Sequence, residues 1–564
     1  MRPLGGGSDG RREGERRIGG GAACLGLLGA LVFGLLVTGK AWGKDDEAIP
    51  VVRFNVERFA VDGENPLSAA RTRAILAPYL GAQEGLERLV GAAQALEDAL
   101  RAAGRAFQRV VLVPQTLTAG VVRLRIVTIK VSKVVVHGNE HYSEDNIARM
   151  FPGLVPGEPP PPTATLSRQL RLANEQPAKS VALTFRDSET AANALEADIA
   201  VKDRRPYSVF TSLENTGTAS TGPWRWTVGG SYMNLFDRDQ TVSATYTTAV
   251  GHAGQVKQGS VSYSAPIYRW AGSVLAYYVA SDVSTGFVES AGLDISGSGR
   301  FWGVRYTQRF GSSGGFRQRV TVGLDDKLFD NVGRTTSGTN ILDDVRSRPV
   351  SVEYSATMQG SDWGGTFTLA YVRNLVAGGA NNGFAYARNR EGAEPGWDLV
   401  RITGAAAGGS IFGWQPRALV QVQVANEPLI PGEQFGLGGA RSVRGFDERE
   451  VAGDSGFRVS GELWSPDLGP FASGRIRVLA FVDRGVAYLD RPLVVNGSRR
   501  EGLASIGAGL RWTWKDYASI SFDLAAVLDG SPAATVVNAD GSVTTPTKRG
   551  AGDVRGHLSF GLRY

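Results

Sequence analysis

"RFWGVRYTQRF", residues 300–310, decides how the longer part of this chain is read. Trp302, Val304, Tyr306 and Phe310 share one side of a two-residue period, while Arg305, Thr307 and Arg309 share the other. That is the pattern of a strand with one apolar and one polar face. It recurs in "ISFDLAAVL", where Ile520, Phe522, Leu524 and Ala526 oppose Ser521 and Asp523. The last nine residues repeat it with Leu558, Phe560, Leu562 and Tyr564 on one face. About sixteen such segments follow Pro206, separated by stretches rich in Gly, Asn, Asp and Ser.

The gaps between segments alternate in length. Short ones include 234–239, 267–271, 311–316, 359–364 and 514–517, and long ones include 282–300, 327–348, 375–397, 426–455 and 528–555. A soluble sandwich or propeller has no reason to sort its connections by parity, nor to carry aromatic and aliphatic side chains outward in strand after strand. An up-and-down barrel in an outer membrane does both, with short periplasmic turns and longer outer loops. Lipid leaves no solvent for an unpaired backbone group, so such a sheet must close. The fold class expected is therefore a transmembrane β-barrel of about 16 antiparallel strands over residues 207–564. Trp224, Trp226, Trp302, Trp512 and Trp514 suit the membrane interface.

Upstream the grammar differs. "LERLVGAAQALEDALRAAG" places Leu86, Leu89, Val90, Ala93, Leu96 and Leu100 at helical spacing and stops at Gly104. Strand-like runs follow at 110–113 and 121–131, and then the pattern restarts with "KVVVHGN", two helical stretches, "SVALTFRD" and "LEADIAVKD". The order strand–helix–helix–strand–strand thus occurs twice, giving small α/β modules over 50–131 and 132–205. Residues 1–43 read as a signal peptide: arginines, an apolar run from Ala22 to Val37, and a small-residue site at Ala41-Trp42-Gly43. Cleavage there removes Cys24, the single cysteine, and with it any disulfide or thiolate chemistry. The formal charge of +6 includes +3 from that leader, which is too slight a basic balance to indicate nucleic acid.

Two stretches tempt an enzymatic reading. GDSG at 453–456 resembles the surroundings of a serine-protease nucleophile, but the histidines at 137, 141 and 252 lack the setting of a triad. His137, Glu140 and His141 spell H-x-x-E-H, yet Gly138-Asn139 puts a turn where zinc ligation needs a helix. No phosphate-cradling Gly-Lys-Ser/Thr loop is present. The chain is read as a non-enzyme with no catalytic residues, no metal and no cofactor.

Alternation orients two strands in the last third. Val478, Ala480 and Val482 face one way, so Leu479, Phe481 and Asp483 face the other, and a carboxylate is too costly against lipid. Asp483 therefore points into the lumen, and Arg458 and Glu462 do so from the preceding segment. The long connection 426–455 contains Arg444 among glycines. Either it folds inward and pairs with Asp483, or Arg444 rides on a solvated outer loop.

These residues carry a family resemblance. The chain resembles TpsB-type exporters of two-partner secretion (the haemolysin activator and filamentous haemagglutinin exporter family), in the superfamily that joins periplasmic POTRA modules to a sixteen-stranded barrel. In that family the loop after the eleventh strand carries V-R-G-[FY] and enters the lumen, matched here by Val443, Arg444, Gly445 and Phe446. An F-x-D-x-G motif on the thirteenth strand is matched by Phe481, Asp483 and Gly485, and the resemblance implies that its aspartate pairs with the arginine. It also implies that Leu558, Phe560, Leu562 and Tyr564 form a terminal strand read by the barrel-assembly machinery. The expected function is an outer-membrane pore of a Gram-negative bacterium, with its POTRA modules in the periplasm. It would bind an unfolded, large TpsA-like partner through those modules and pass it to the cell surface, surrounded by outer-membrane lipid and with no nucleic acid involved. An assembly factor of the same superfamily and a passive diffusion porin are the alternatives. One departure is expected: about seven residues separate the cleavage site from the first strand, leaving no room for a plug helix.

Overall fold

The computed structural model describes residues 53–564, apart from 117–118, 219–220, 283–284, 289–292, 297, 331–343, 491–498, 531–535, 538–542 and 545–548. The expected signal peptide, and the short stretch after it in which no plug helix is expected, lie outside these residues.

Each α/β module is a three-stranded sheet with its last strand in the middle. In the first, Val121–Thr128 runs parallel to Arg58–Asp62 and antiparallel to Gln108–Leu112. Helix Ala69–Leu76 starts at Ser68, whose hydroxyl accepts from the Arg71 amide. The longer helix, Glu87–Ala102, buries Leu89, Ala92, Ala93, Leu96 and Leu100. Leu86 and Val90, read above as part of that stripe, are instead more than half exposed, because the 89/93/96/100 line turns them toward solvent. In the second module Ala194–Asp203 is parallel to Lys130–His137 and antiparallel to Lys179–Asp187, with helices Glu144–Arg149 and Thr163–Ala173 above. The boundary expected after residue 131 moves to Ile129, since Val131 pairs in the second sheet and lies in its core with Ile147, Phe151 and Ile199.

Sixteen antiparallel strands, counting two kinked ones once each, close into a barrel. In order they are Tyr207–Glu214, Arg225–Leu235, Gln240–Ala249, Lys257–Ile267, Gly272–Ser281, Gly299–Arg309, Arg317–Phe329 and Pro349–Gln359, then Trp363–Asn374, Asp398–Gly408, Gln415–Ala425, Ser455–Trp464, Gly474–Tyr488, Arg500–Trp514, Ala518–Asp529 and Val554–Arg563. Closure comes from pairing of Ser559–Arg563 in the last strand with Phe210–Glu214 in the first. The lipid-facing pattern follows the alternation: Trp302, Val304, Val322, Leu324, Phe367 and Leu369 are exposed on the outer surface, while Arg305 and Asp325 face in and pair at 3.3 Å. The chain does not abandon helix entirely after Pro206. Residues Gly383–Asn389 form one inside the long connection 375–397, capped by Asn382 and burying Tyr386 against Trp397 and Phe301, a packing no local periodicity announces.

The short-turn side carries the second module. Lys179, fully buried, forms an ion pair with Asp239 in the turn between the second and third strands, and Tyr268 donates to the same carboxylate at 2.6 Å. Asn146 donates to Asn234 at 3.0 Å, and the Ser143 hydroxyl bonds Asp237. Burial holds the Lys179 pKa below the ordinary lysine value, while Asp239 opposes that fall. Lys179→Ala strands a buried carboxylate, so it is expected to cost about 3–5 kcal/mol of docking stability. Limited proteolysis around Arg204-Arg205, read as the rate of release of the modules from the barrel, checks this; an unchanged rate would refute it.

Candidate functional site

The connection between the eleventh and twelfth strands, residues 426–454, does not stand out in solvent. It enters the lumen as a hairpin of Phe435–Leu437 and Val451–Gly453 with its tip between them. Leu437, Val443, Phe446 and Val451 are buried against Ala487, Leu503 and Val527 on the thirteenth to fifteenth strands. This apolar contact seats the loop. Two glycines make the seat possible. Gly445 sits at φ 97°, and a Cβ on Gly485 would lie 2.7 Å from Leu437 and 3.2 Å from Val443.

Arg444 is 5% exposed and surrounded by carboxylates. Its Nε lies 2.7 Å from Asp483 Oδ2 and its Nη2 donates to Asp483 Oδ1 at 2.9 Å, a bidentate pair. Its backbone amide also donates to Asp483, at 3.2 Å. Nη1 reaches Glu462 at 2.8 Å, and Asp523 lies 3.8 Å away. The guanidinium lies over the Phe481 ring with 3.5 Å to the centroid, and Ser460 donates to Asp483 at 2.6 Å. Burial opposes the charge on Arg444, but its bonds to Asp483 and the charges of Asp483, Glu462 and Asp523 hold its pKa above the ordinary arginine value. Arg458 faces the same space and donates to Gln421 at 2.6 Å and to the Arg441 carbonyl.

The loop tip has a second attachment. The Gly445 amide donates to His557 Nε2 at 2.9 Å, which requires a neutral imidazole with its proton on Nδ1. Arg555, two residues earlier on the last strand, pairs with Asp447. His557, Asp523 and Ser460 are not assigned to this site by the sequence, which places Asp523 only on the polar face of its strand. The first two could have been found by the rule that oriented Asp483, since each lies between lipid-facing neighbours such as Leu524 and Leu558. On the terminal strand Phe560, Leu562 and Tyr564 are exposed on the outer surface and Leu558 is partly buried.

The two enzyme-like stretches have structural duties. Asp454 of the GDSG tetrapeptide is fully buried, binds Arg390 of the 375–397 connection through both oxygens, and accepts from the Leu429 and Asp490 amides. Ser455 Oγ accepts from the Ala425 amide. His137 ends a strand and pairs with Asp198, whereas His141 follows the turn and pairs with Asp203.

A closed sixteen-stranded barrel, α/β modules on its short-turn side, and an arginine loop held in its lumen define an outer-membrane transporter of the POTRA–barrel class. The model of the haemolysin secretion/activation proteins ShlB/FhaC/HecB matches residues 196–298 and 403–512, and that of the ShlB-type POTRA domain matches 54–128. Two outer membrane transporters CdiB, from Escherichia coli O6:K15:H31 (strain 536 / UPEC) and from Escherichia coli, are each 23% identical to this chain over 475 and 474 residues, covering 78% of it and 73% of their own length. Among solved structures, CdiB from Escherichia coli gives a TM-score of 0.70 at 16% identity, over 93% of this chain and 92% of that one. CdiB from Acinetobacter baumannii gives 0.61 at 16% identity, over 91% and 90%. The chain belongs to the ShlB/FhaC/HecB family, the outer-membrane transporters of two-partner secretion.

Glu448, in the loop tip, accepts from the Ala440 amide at 2.8 Å, and burial pushes its pKa from 4.5 up to about 7. A raised carboxyl pKa means the seated loop favours the protonated form. Its stability is fully present below about 4.5 and is lost as pH rises through about 7. Hydrogen exchange of the 438–450 amides, corrected for intrinsic rate, is expected to show more protection at about pH 5.5 than at about pH 8. Glu448→Gln is expected to flatten that dependence; equal slopes in both proteins would exclude Glu448 as its source.

Proposed function

We propose that this transporter captures one large unfolded secreted partner in the periplasm and passes it through the lumen as the Arg444 loop leaves its seat. The POTRA modules offer sheet edges that suit addition of an extended strand from the partner. The observation that carries the reading is the buried Arg444–Asp483 pair, which keeps a glycine-bearing loop across the conduit. Such a pair is a two-position device: it defines one seated geometry, and breaking it frees a connection of 29 residues, 426–454, to rearrange. The outer membrane supplies no nucleotide, so direction comes from capture on one side and folding of the partner on the other. The chain works without catalytic chemistry, cofactor or metal. Its lipid-facing terminal strand, with Phe560 and Leu562, serves as the handle for the barrel-assembly machinery.

Comparing secreted and outer-membrane proteomes of a deletion strain with its parent tests this. Loss of one large protein from the medium, with the membrane profile unchanged, is the expected result. Depletion of several barrels from the membrane would make the protein an assembly factor instead. Arg444→Ala is expected to insert at parental level and to lower secretion of that partner at least about tenfold, the effect of about 1.4 kcal/mol on the seated state. Secretion at the parental rate would remove Arg444 from the mechanism.

A further inference from the structure

Inside the barrel, between the periplasmic mouth and the seated loop, lies a cavity of about 1850 Å³. Its wall is strongly unbalanced in charge. Twelve arginine or lysine side chains line it against six aspartates or glutamates, a net side-chain charge of +6. Three of the acids are already matched within the wall: Asp325 by Arg305, Glu433 by Lys327, and Glu214 by Arg441, at 3.0 to 3.3 Å. The excess is spread along the lumen, with Arg319 near the short-turn end of its strand and Arg401 near the long-loop end of its own. Arg401 on the tenth strand donates to the neutral amide of Gln423 at 2.8 Å, and Arg319 on the seventh lines the same cavity. Arg225 on the second strand donates to the Gly222 carbonyl and the Thr221 hydroxyl, so its hydrogen bonds leave its charge in place. A second cavity of about 800 Å³ beside the Arg444 seat repeats the bias, with Arg417, Arg441, Arg444, Arg458 and Arg511 against Asp362, Glu462 and Asp523.

Charge on a lumen wall acts more strongly than on an open surface. The low-dielectric sheet and lipid around it focus the field into the water inside, and opposite wall positions lie within a few screening lengths of about 8 Å at physiological salt. Rings of arginine or lysine are the arrangement that admits anions and turns cations away. We propose that this lumen is an anion-selective conduit, matched to a passenger whose translocating segments are acidic. The passenger clause rests on the export reading above; the selectivity does not. The loop's own contribution to this wall, Arg441 and Arg449 against Glu433 and Glu448, cancels, so the preference persists when the loop moves.

Planar-bilayer recordings of the full-length protein, alone and as Arg444→Ala, under a potassium chloride gradient test the proposal. The reversal potential is expected on the chloride side, with chloride preferred over potassium by a few-fold. Arg319→Glu/Arg401→Glu lowers the wall charge from +6 to +2 and is expected to bring the preference toward unity. Poly-L-glutamate added on the periplasmic side is expected to block current at lower concentration than poly-L-lysine. A reversal potential at zero or on the potassium side, an absence of conductance in both proteins, or stronger block by poly-L-lysine would overturn the inference. Chloride preference in a strain whose deletion loses no secreted protein would leave selectivity standing and remove the export reading, so the two fail separately.

Discussion

Hydrocarbon solvates no peptide group, and the rest of this structure follows from that constraint. A sheet exposed to lipid must pair its last strand with its first, and every second side chain must then face a space that lipid does not fill. In this chain the outward positions carry Trp302, Val304, Leu324 and Leu524, and the inward ones carry Arg305, Asp325, Asp483 and Asp523. Closure therefore produces a polar interior wide enough to hold other parts of the protein. The 426–454 connection occupies it, with an apolar underside against the wall and a charged tip.

The energetics of that tip are asymmetric. One guanidinium meets Asp483 and Glu462 directly, while Asp523, 3.8 Å away, keeps its own partner in Arg511 at 2.7 Å, so withdrawal of Arg444 leaves Asp483 and Glu462 without their cation. A buried pair of this kind adds little net stability over an apolar substitute, but removing one member is costly. It acts as a specification of position. The Phe481 ring under the guanidinium and the missing side chain of Gly485 set the depth to which the loop can descend.

Much of this was legible in the sequence, and the limits have physical causes. Strand alternation is imposed by lipid on one residue at a time, so the barrel and the inward direction of Asp483, Arg458 and Glu462 could be read locally. The parity of connection lengths told inside from outside. The helix at 383–389 was not legible, because its burial depends on Val279, Phe301 and Phe329, which are remote in sequence. The same holds for Leu86 and Val90, apolar residues left outside by the rotation of their helix. Contacts such as Gly445 with His557 join a loop to a strand 112 residues later, and spacing carries no record of them.

That last contact has a bearing on how the protein is made. The loop tip is held from one side by the thirteenth strand and from the other by His557 and Arg555, which lie within ten residues of the chain's final tyrosine. Contacts of such long sequence separation form late, since the intervening chain must be ordered first. The loop cannot be fully seated until the terminal strand has arrived and paired with Phe210–Glu214. Seating therefore reports that the barrel is complete, and a chain halted one hairpin short would stay unlatched at its tip.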